Sequence, residues 1–190
     1  MSMSYQPLAG KTVAFLIANG FEETEMTESQ RALLNAGAQV RTISPEPGLV
    51  NGWLGKGWGH FFPIDRQIAT VLGADYDMLV LPGGERSVAK LALNAHTRRI
   101  VSHFLDAGKP IAAIDDGIAL LGIAPKLNGR TLAAPEALRP ALAEAGANLA
   151  EETMMTDGPI LTACGLDELD AFVAEMLRLF GEGSAVQNAA

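Results

Sequence analysis

Three short apolar runs, each broken by a glycine or a carboxylate, restrict this chain more than any other feature. Residues 11–18 read Lys-Thr-Val-Ala-Phe-Leu-Ile-Ala, residues 78–82 read Met-Leu-Val-Leu-Pro, and residues 111–114 read Ile-Ala-Ala-Ile. None alternates polar with apolar residues, so each predicts a strand covered on both faces. The first runs into Asn19-Gly20, the second into Gly83-Gly84, the third into Asp115-Asp116-Gly117. Segments of helical spacing separate them, which predicts an open, mainly parallel α/β sheet with helices on both faces. Ligands in that architecture gather at the carboxyl ends of the strands. Three segments therefore share that edge: 19–25, 83–87 and 115–117.

The remaining punctuation sets further expectations. A helix from about Glu25 closes at Gly37, a residue suited to the left-handed position past a helix end. A strand over 39–44 stops before Pro45 and Pro47. Residues 48–64 interleave glycines with Trp53, Trp58, Phe61 and Phe62, predicting a glycine-rich hairpin at a sheet edge; the alternative is a lid or a subunit contact. Thr97 is expected to cap a helix bearing Ile100, Val101, Phe104 and Leu105 and ending at Gly108. Residues 117–124 read as a buried helix and 130–134 as a fifth strand. Residues 136–145 read as a helix that kinks or starts at Pro140. Asp157-Gly158 marks a hairpin over 153–162. The last helix carries one apolar stripe from Leu166 to Phe180, with Gly181 as its stop and 182–190 as a flexible tail. One domain over 1–190 is expected, with its core over about 11–180.

Composition removes several function classes. The 14 basic and 22 acidic residues leave a net charge of −8, which repels nucleic acid, and no basic stripe offsets it. No apolar run reaches the roughly 18 residues a bilayer span needs. The first residues lack the basic and apolar regions of a signal peptide, so the expected location is cytoplasmic, without membrane or nucleic-acid partners. The single cysteine, Cys164, excludes an internal disulfide. No paired-histidine spacing offers a metal site, and neither metal nor cofactor is expected.

Chemistry concentrates at the strand ends. Asp115 occupies a strand-to-helix turn, the place where many α/β proteins expose a reactive group. The helix dipole and free amides there favour its charged form. Asp116 is either a second acid or a helix N-cap. Gly83 and Gly84 either form a plain tight turn or bring backbone N–H groups close to a ligand oxygen. Arg86 is a further candidate in that segment. Glu22 can turn inward, while Glu23 and Glu25 fit a solvated first helical turn. His60 can face the cleft from the aromatic hairpin; His96 and His103 are expected at the surface.

Taken in order, Asn19-Gly-Phe-Glu22-Glu-Thr-Glu25, Leu79-Val-Leu-Pro-Gly83-Gly84 and Gly108-Lys-Pro-Ile-Ala-Ala-Ile-Asp115-Asp116-Gly117 resemble the DJ/ThiJ/PfpI superfamily. The nearest branch is the intracellular protease- and amidase-like one, with a class I glutamine-amidotransferase-like fold. The resemblance spans about 11–180, including 91–94 and 156–162. It implies a flavodoxin-like three-layer sandwich, homodimers or assemblies of dimers, and a site made from a glutamate, a glycine amide and a cysteine elbow. Carried over by position, the glutamate falls on Glu22 and the oxyanion amides on Gly84 and Asp116. The nucleophilic cysteine falls on Asp115 and its histidine on Asp116. The chain thus reads as a divergent member without the thiol. Cys164, far along the chain, is expected to act as a small buried hydrophobe.

If that geometry holds, Glu22 and Asp115 lie within hydrogen-bonding reach and cannot both ionise comfortably; Glu22 is expected to keep the proton. Two function classes follow. In the preferred one the chain is a small-molecule-binding or stress-related protein without thiol protease or amidase activity. In the alternative it is a hydro-lyase, isomerase or hydrolase using Asp115 and Glu22 as acid and base on a small carbonyl-like metabolite. The Gly84 and Asp116 amides would then hold an oxyanion.

Overall fold

The computed structural model describes residues 6–125 and 127–187. Its first half runs β1 (Thr12–Leu16), β2 (Phe21–Glu22), α1 (Glu23–Asn35), β3 (Gln39–Ser44), β4 (Leu49–Leu54), β5 (Gly57–Pro63), β6 (Arg66–Gln67), β7 (Met78–Leu81) and α2 (Glu85–Ala92). Its second half runs α3 (Ala95–Ala107), β8 (Ile111–Ile114), β9 (Thr131–Leu132), α4 (Arg139–Glu144), β10 (Asn148–Leu149), β11 (Met154–Asp157), β12 (Ile160–Ala163) and α5 (Leu169–Gln187). The main sheet has the order β11-β12-β8-β7-β1-β3-β6. All its pairings are parallel except β11 with β12.

Side-chain alternation divides the core into two layers. Val13, Phe15, Met78, Val80, Ala112 and Ile114 face the layer that holds Met26 and Leu33 of α1 and Phe172, Met176 and Phe180 of α5. Their sequence neighbours Ala14, Leu16, Leu79, Leu81 and Ala113 face Leu91 of α2 and Ile100, Val101 and Phe104 of α3. This period of two, with both faces apolar, explains the unbroken hydrophobic runs. The result is the expected three-layer α/β sandwich.

Several elements differ from the sequence expectation. The 48–64 hairpin forms at a sheet edge as expected, as β4 and β5, but the sheet is a small separate one shared with β2. The 130–134 strand shrinks to β9, which pairs only with β10; the fifth parallel strand is instead β12, beside β8. Residues 115–121 form a 3-10 helix. Asn94, not Thr97, caps α3, its side chain accepting the His96 N–H at 2.9 Å, while Thr97 is fully buried. Pro140 falls in the first turn of α4, where its missing N–H costs nothing. Helix α5 continues through Gly181 to Gln187, so most of the expected tail is helical; residues 188–190 lie outside the described residues. Among the described residues, no helix is long and apolar enough to cross a membrane.

Candidate functional site

The carboxyl ends of β1, β7, β8 and β12 converge because their registers match. Leu81 pairs with Ala113 and Ala163 with Ile114, so the residues that follow, Pro82-Gly83-Gly84, Asp115 and Cys164, leave the sheet side by side. Asp115 has φ 53°, the only positive φ at a non-glycine among the described residues. Such a conformation costs about 1–3 kcal/mol. Ile114 and Ile118, both fully buried on either side of it, hold the turn in place. Gly117 supplies the close approach: a Cβ there would press against the carbonyls of Leu81 and Pro82.

Two loops complete the site. Gly84 (φ 103°) packs its Cα face against the backbone of 20–22, where a Cβ would lie 2.7 Å from Phe21 Cα and Glu22 N. The Glu22 N–H donates to Gly83 O at 2.9 Å. The Gly83 N–H donates to Glu25 Oε2 at 2.7 Å. The Ala18 N–H donates to Ser87 Oγ at 2.9 Å, locking α2 to the end of β1.

The inward-turned carboxyl is therefore Glu25, which is wholly buried, and not Glu22. Glu22 is the N-cap of α1, accepting the Thr24 N–H; it acts on Asp115 through charge rather than by a described hydrogen bond. The reason is helical geometry. Glu25, Ser29 and Leu33 lie four residues apart on the face of α1 that meets the core, and all three are buried. Glu23 is buried as well. It holds the hairpin, accepting the His60 N–H at Oε2 (2.8 Å) and meeting His60 Nδ1 at Oε1 (2.6 Å). His60 thus serves the hairpin: its N–H and ring meet Glu23, and its carbonyl accepts from Asn51 Nδ2 at 2.9 Å. Arg86 lies over the rings of Trp53 (4.5 Å) and Trp58 (5.6 Å) and closes the hairpin onto α2. His103 is partly enclosed, with Nε2 buried and without a partner among the described residues, and its ring against Gly73.

Burial governs the electrostatics. It pushes the Glu25 carboxyl up to about 8, against the Gly83 hydrogen bond, with the charges of Asp115, Glu22 and Asp116 adding to the rise. Asp115 rises to about 6, first by burial, then by the charges of Asp116 and Glu22. The helix dipole, expected to favour its charge, is outweighed. Asp116 and Glu22 are also raised, in each case chiefly by burial. At neutral pH the proton rests on Glu25, while Asp115 is mostly ionised.

The elbow amides face the chain's own acceptors. The Gly83 N–H donates to Glu25, while the Asp116 amide lies near enough to the Asp115 carboxylate, and the Gly84 amide to that of Asp116, to oppose the rise that burial causes in each. Asp116 is thus an acceptor for the neighbouring loop and not a helix cap; the cap position is Ile114. Cys164, remote in sequence, is close in space: it is half-buried and feels the Asp115 charge. Burial, with Glu168 and Asp115, holds its thiol above the ordinary range against the opposing pull of Arg139, which keeps it protonated and poorly nucleophilic. No cluster of His, Cys, Asp or Glu among the described residues is arranged to hold a metal.

Comparison with known proteins matches these features to one family. Protein/nucleic acid deglycase 2 of Escherichia coli K12 is 34% identical over 173 residues, covering 90% of this chain and 98% of its own. Protein DJ-1 homolog D of Arabidopsis thaliana is 29% identical over 189 residues. The crystal structure of a two-domain protein from Anabaena variabilis, with DJ-1/ThiJ/PfpI-like and ferritin-like domains, superposes with a TM-score of 0.83 at 26% identity over 90% of this chain. The chain spans about half the length of the plant and cyanobacterial proteins (48% and 50%). The DJ-1/PfpI family model matches residues 11–179, and the chain belongs to that family.

Proposed function

We propose that this chain is a non-thiol member of its family that binds a small molecule at the Asp115 elbow. One observation carries the reading: the Gly83, Gly84 and Asp116 amides face Glu25, Asp116 and Asp115. A carbonyl oxygen seeking an oxyanion site would have to compete with the carboxylate beside each amide, which disfavours acyl transfer. A ligand that brings N–H donors or positive charge instead relieves the mutual repulsion of Asp115, Asp116 and Glu22. The deglycase activity named for the Escherichia coli relative, and protease or amidase chemistry, are not part of this proposal. A cytoplasmic homodimer is the setting we assign to it.

A second reading rests on a separate observation. Asp115 near 6 and Glu25 near 8 straddle neutral pH, the arrangement by which paired carboxyls divide base and acid roles. Asp115 would then be the general base towards a carbonyl-like metabolite. Glu25, wholly buried, would act as a positioning residue that holds the proton beneath it.

A thermal-shift screen of primary amines, amides, carboxylic acids and small carbonyl compounds at pH 7.5 separates the readings, with NMR on each mixture. Binding predicts stabilisation by amines or amides, lost in Asp115→Asn, without product. Turnover abolished by Asp115→Asn would establish the enzyme reading instead. A covalent adduct on Cys164 would overturn the non-thiol proposal.

A further inference from the structure

At the amino ends of β1 and β7, away from the elbow, a cavity of about 360 Å³ is lined chiefly by Thr12, Arg41, Arg66, Thr70, Asp75 and Tyr76. Its volume lies within the range of small-metabolite sites. Sequence reading attached no role to any of these residues, because they come from four separate segments: the start of β1, β3, the β6 turn and the approach to β7.

The charges around it are unevenly committed. Three aspartates lie on or near the cavity, and each already accepts backbone N–H groups. Asp75 Oδ2 takes Leu72 N–H at 3.0 Å, Asp77 Oδ2 takes Thr12 N–H at 2.8 Å, and Asp65 Oδ2 takes Thr42 N–H at 2.7 Å. The two arginines differ. Arg41 donates only to the Val40 carbonyl and the Gln39 side chain among its described bonds, which leaves most of its five N–H groups unused. Arg66 is exposed, and among the described residues no ion pair engages either guanidinium. Both act on the phenol of Tyr76, which is only 6% exposed; burial and the Asp75 carboxylate hold that phenol above its ordinary range, Arg66 and Arg41 oppose them, and Asp65 adds to the rise. On a chain of net charge −8, two guanidiniums that line one cavity beside a buried phenol, with no described ion pair and most of the Arg41 N–H groups unused, stand out.

Two forked guanidiniums suit a phosphate or carboxylate geometrically. The hydroxyls of Thr12, Thr70 and Tyr76 add donors or acceptors, and the free oxygen of Asp75 can accept from a ligand hydroxyl. We propose that this cavity binds a phosphorylated, hydroxyl-bearing metabolite of sugar-phosphate size, with Arg41 and Arg66 on the phosphate and Asp75 on the hydroxyls. The site is independent of the elbow, so it stands or falls separately from the function proposed there.

The test is a two-dimensional amide NMR titration of the full chain with inorganic phosphate, ribose 5-phosphate, ribose, and sodium chloride matched for ionic strength. Saturable shifts at Thr12, Thr70 and Tyr76 with ribose 5-phosphate, weaker ones with phosphate, and none with ribose or chloride are expected. Arg41→Gln combined with Arg66→Gln should weaken binding at least tenfold. Tyr76→Phe, which removes one hydroxyl and leaves the packing, should weaken it about threefold and guards against a double variant that fails to fold. Equal shifts with chloride, shifts centred on Gly84 and Asp116, no saturable shift, or an affinity unchanged in Tyr76→Phe and in the folded double variant would each overturn the proposal.

Discussion

The Gly83 amide and the Glu25 carboxyl meet at 2.7 Å across 58 residues of sequence, joining the turn after β7 to the first turn of α1. Oε2 of Glu25 accepts this bond, while Oε1 is buried with no described partner. A carboxylate with one buried, unmatched oxygen is costly; a neutral carboxyl is much less so. That is why burial lifts its pKa from 4.5 to about 8.

The pH dependence follows from the sign of that shift. Between about 4.5 and 8 the unfolded chain holds fewer protons at Glu25 than the folded one. Its stabilising contribution is therefore complete below pH 4.5 and is lost as pH rises through 8. Asp115 contributes in the same sense over the lower window from 3.8 to about 6. Glu25→Gln keeps the acceptor for Gly83 without the proton. It should flatten the pH dependence and be more stable than the parent at pH 9 by about 1–3 kcal/mol. Urea unfolding at pH 5, 7 and 9 checks this; an unchanged slope in the variant would refute it.

Asp115 combines a strained backbone with three acidic neighbours that act on it or that it acts on. Asp115→Gly relieves the positive φ and removes a charge, against the greater freedom glycine gives the unfolded chain. A net gain of about 1 kcal/mol at pH 7 is expected, a rise in Tm of roughly 2–4 °C for a chain of this size. Calorimetry measures it, and a lower Tm would show that the Asp115 side chain holds the turn rather than straining it.

The fold was legible because the strands are buried on both faces, so their apolar runs survive any choice of register. The site was legible only where backbone chemistry marks it: Gly83-Gly84 and Asp115-Gly117 sit at turns that need those residues. Glu25 was misread as solvated because acidic residues in a first helical turn are ordinary. The signal that could have corrected it is the four-residue spacing from Glu25 through Ser29 to Leu33, which puts Glu25 on the core face of α1. Cys164 was misplaced for another reason. Its nearness to Asp115 depends on β12 joining the sheet beside β8, and no local pattern in 153–164 encodes that non-local pairing.

Gly84 and Gly57 separate close packing from mere composition. A Cβ on Gly84 would meet the backbone of Gly20, Phe21 and Glu22, at a φ of 103°. Among the described residues, nothing lies within 4 Å of the corresponding position on Gly57. Gly84→Ala should cost more than about 3 kcal/mol through overpacking and backbone strain, whereas Gly57→Ala should change stability by less than about 0.5 kcal/mol. Denaturant midpoints of the two variants decide it; equal midpoints would contradict the packing described.

The thiol of Cys164 gives the most direct measure of the elbow's electrostatics, because it leaves the sheet beside Asp115. Burial raises its pKa first and the Glu168 carboxylate adds to the rise; Arg139 opposes them, and Asp115 raises it further. Alkylation by iodoacetamide proceeds through the thiolate, so at pH 8 Cys164 should react several-fold more slowly than a free cysteine. Glu168→Gln and Asp115→Asn should each accelerate the reaction, with the pH profile moving to lower pH and the plateau rate unchanged. A variant that merely opened the site would raise the plateau as well. If Cys164 reacts faster than free cysteine in the parent chain, the thiol is activated by Arg139 rather than suppressed by its acidic neighbours, and thiol chemistry returns to this site one strand away from the elbow.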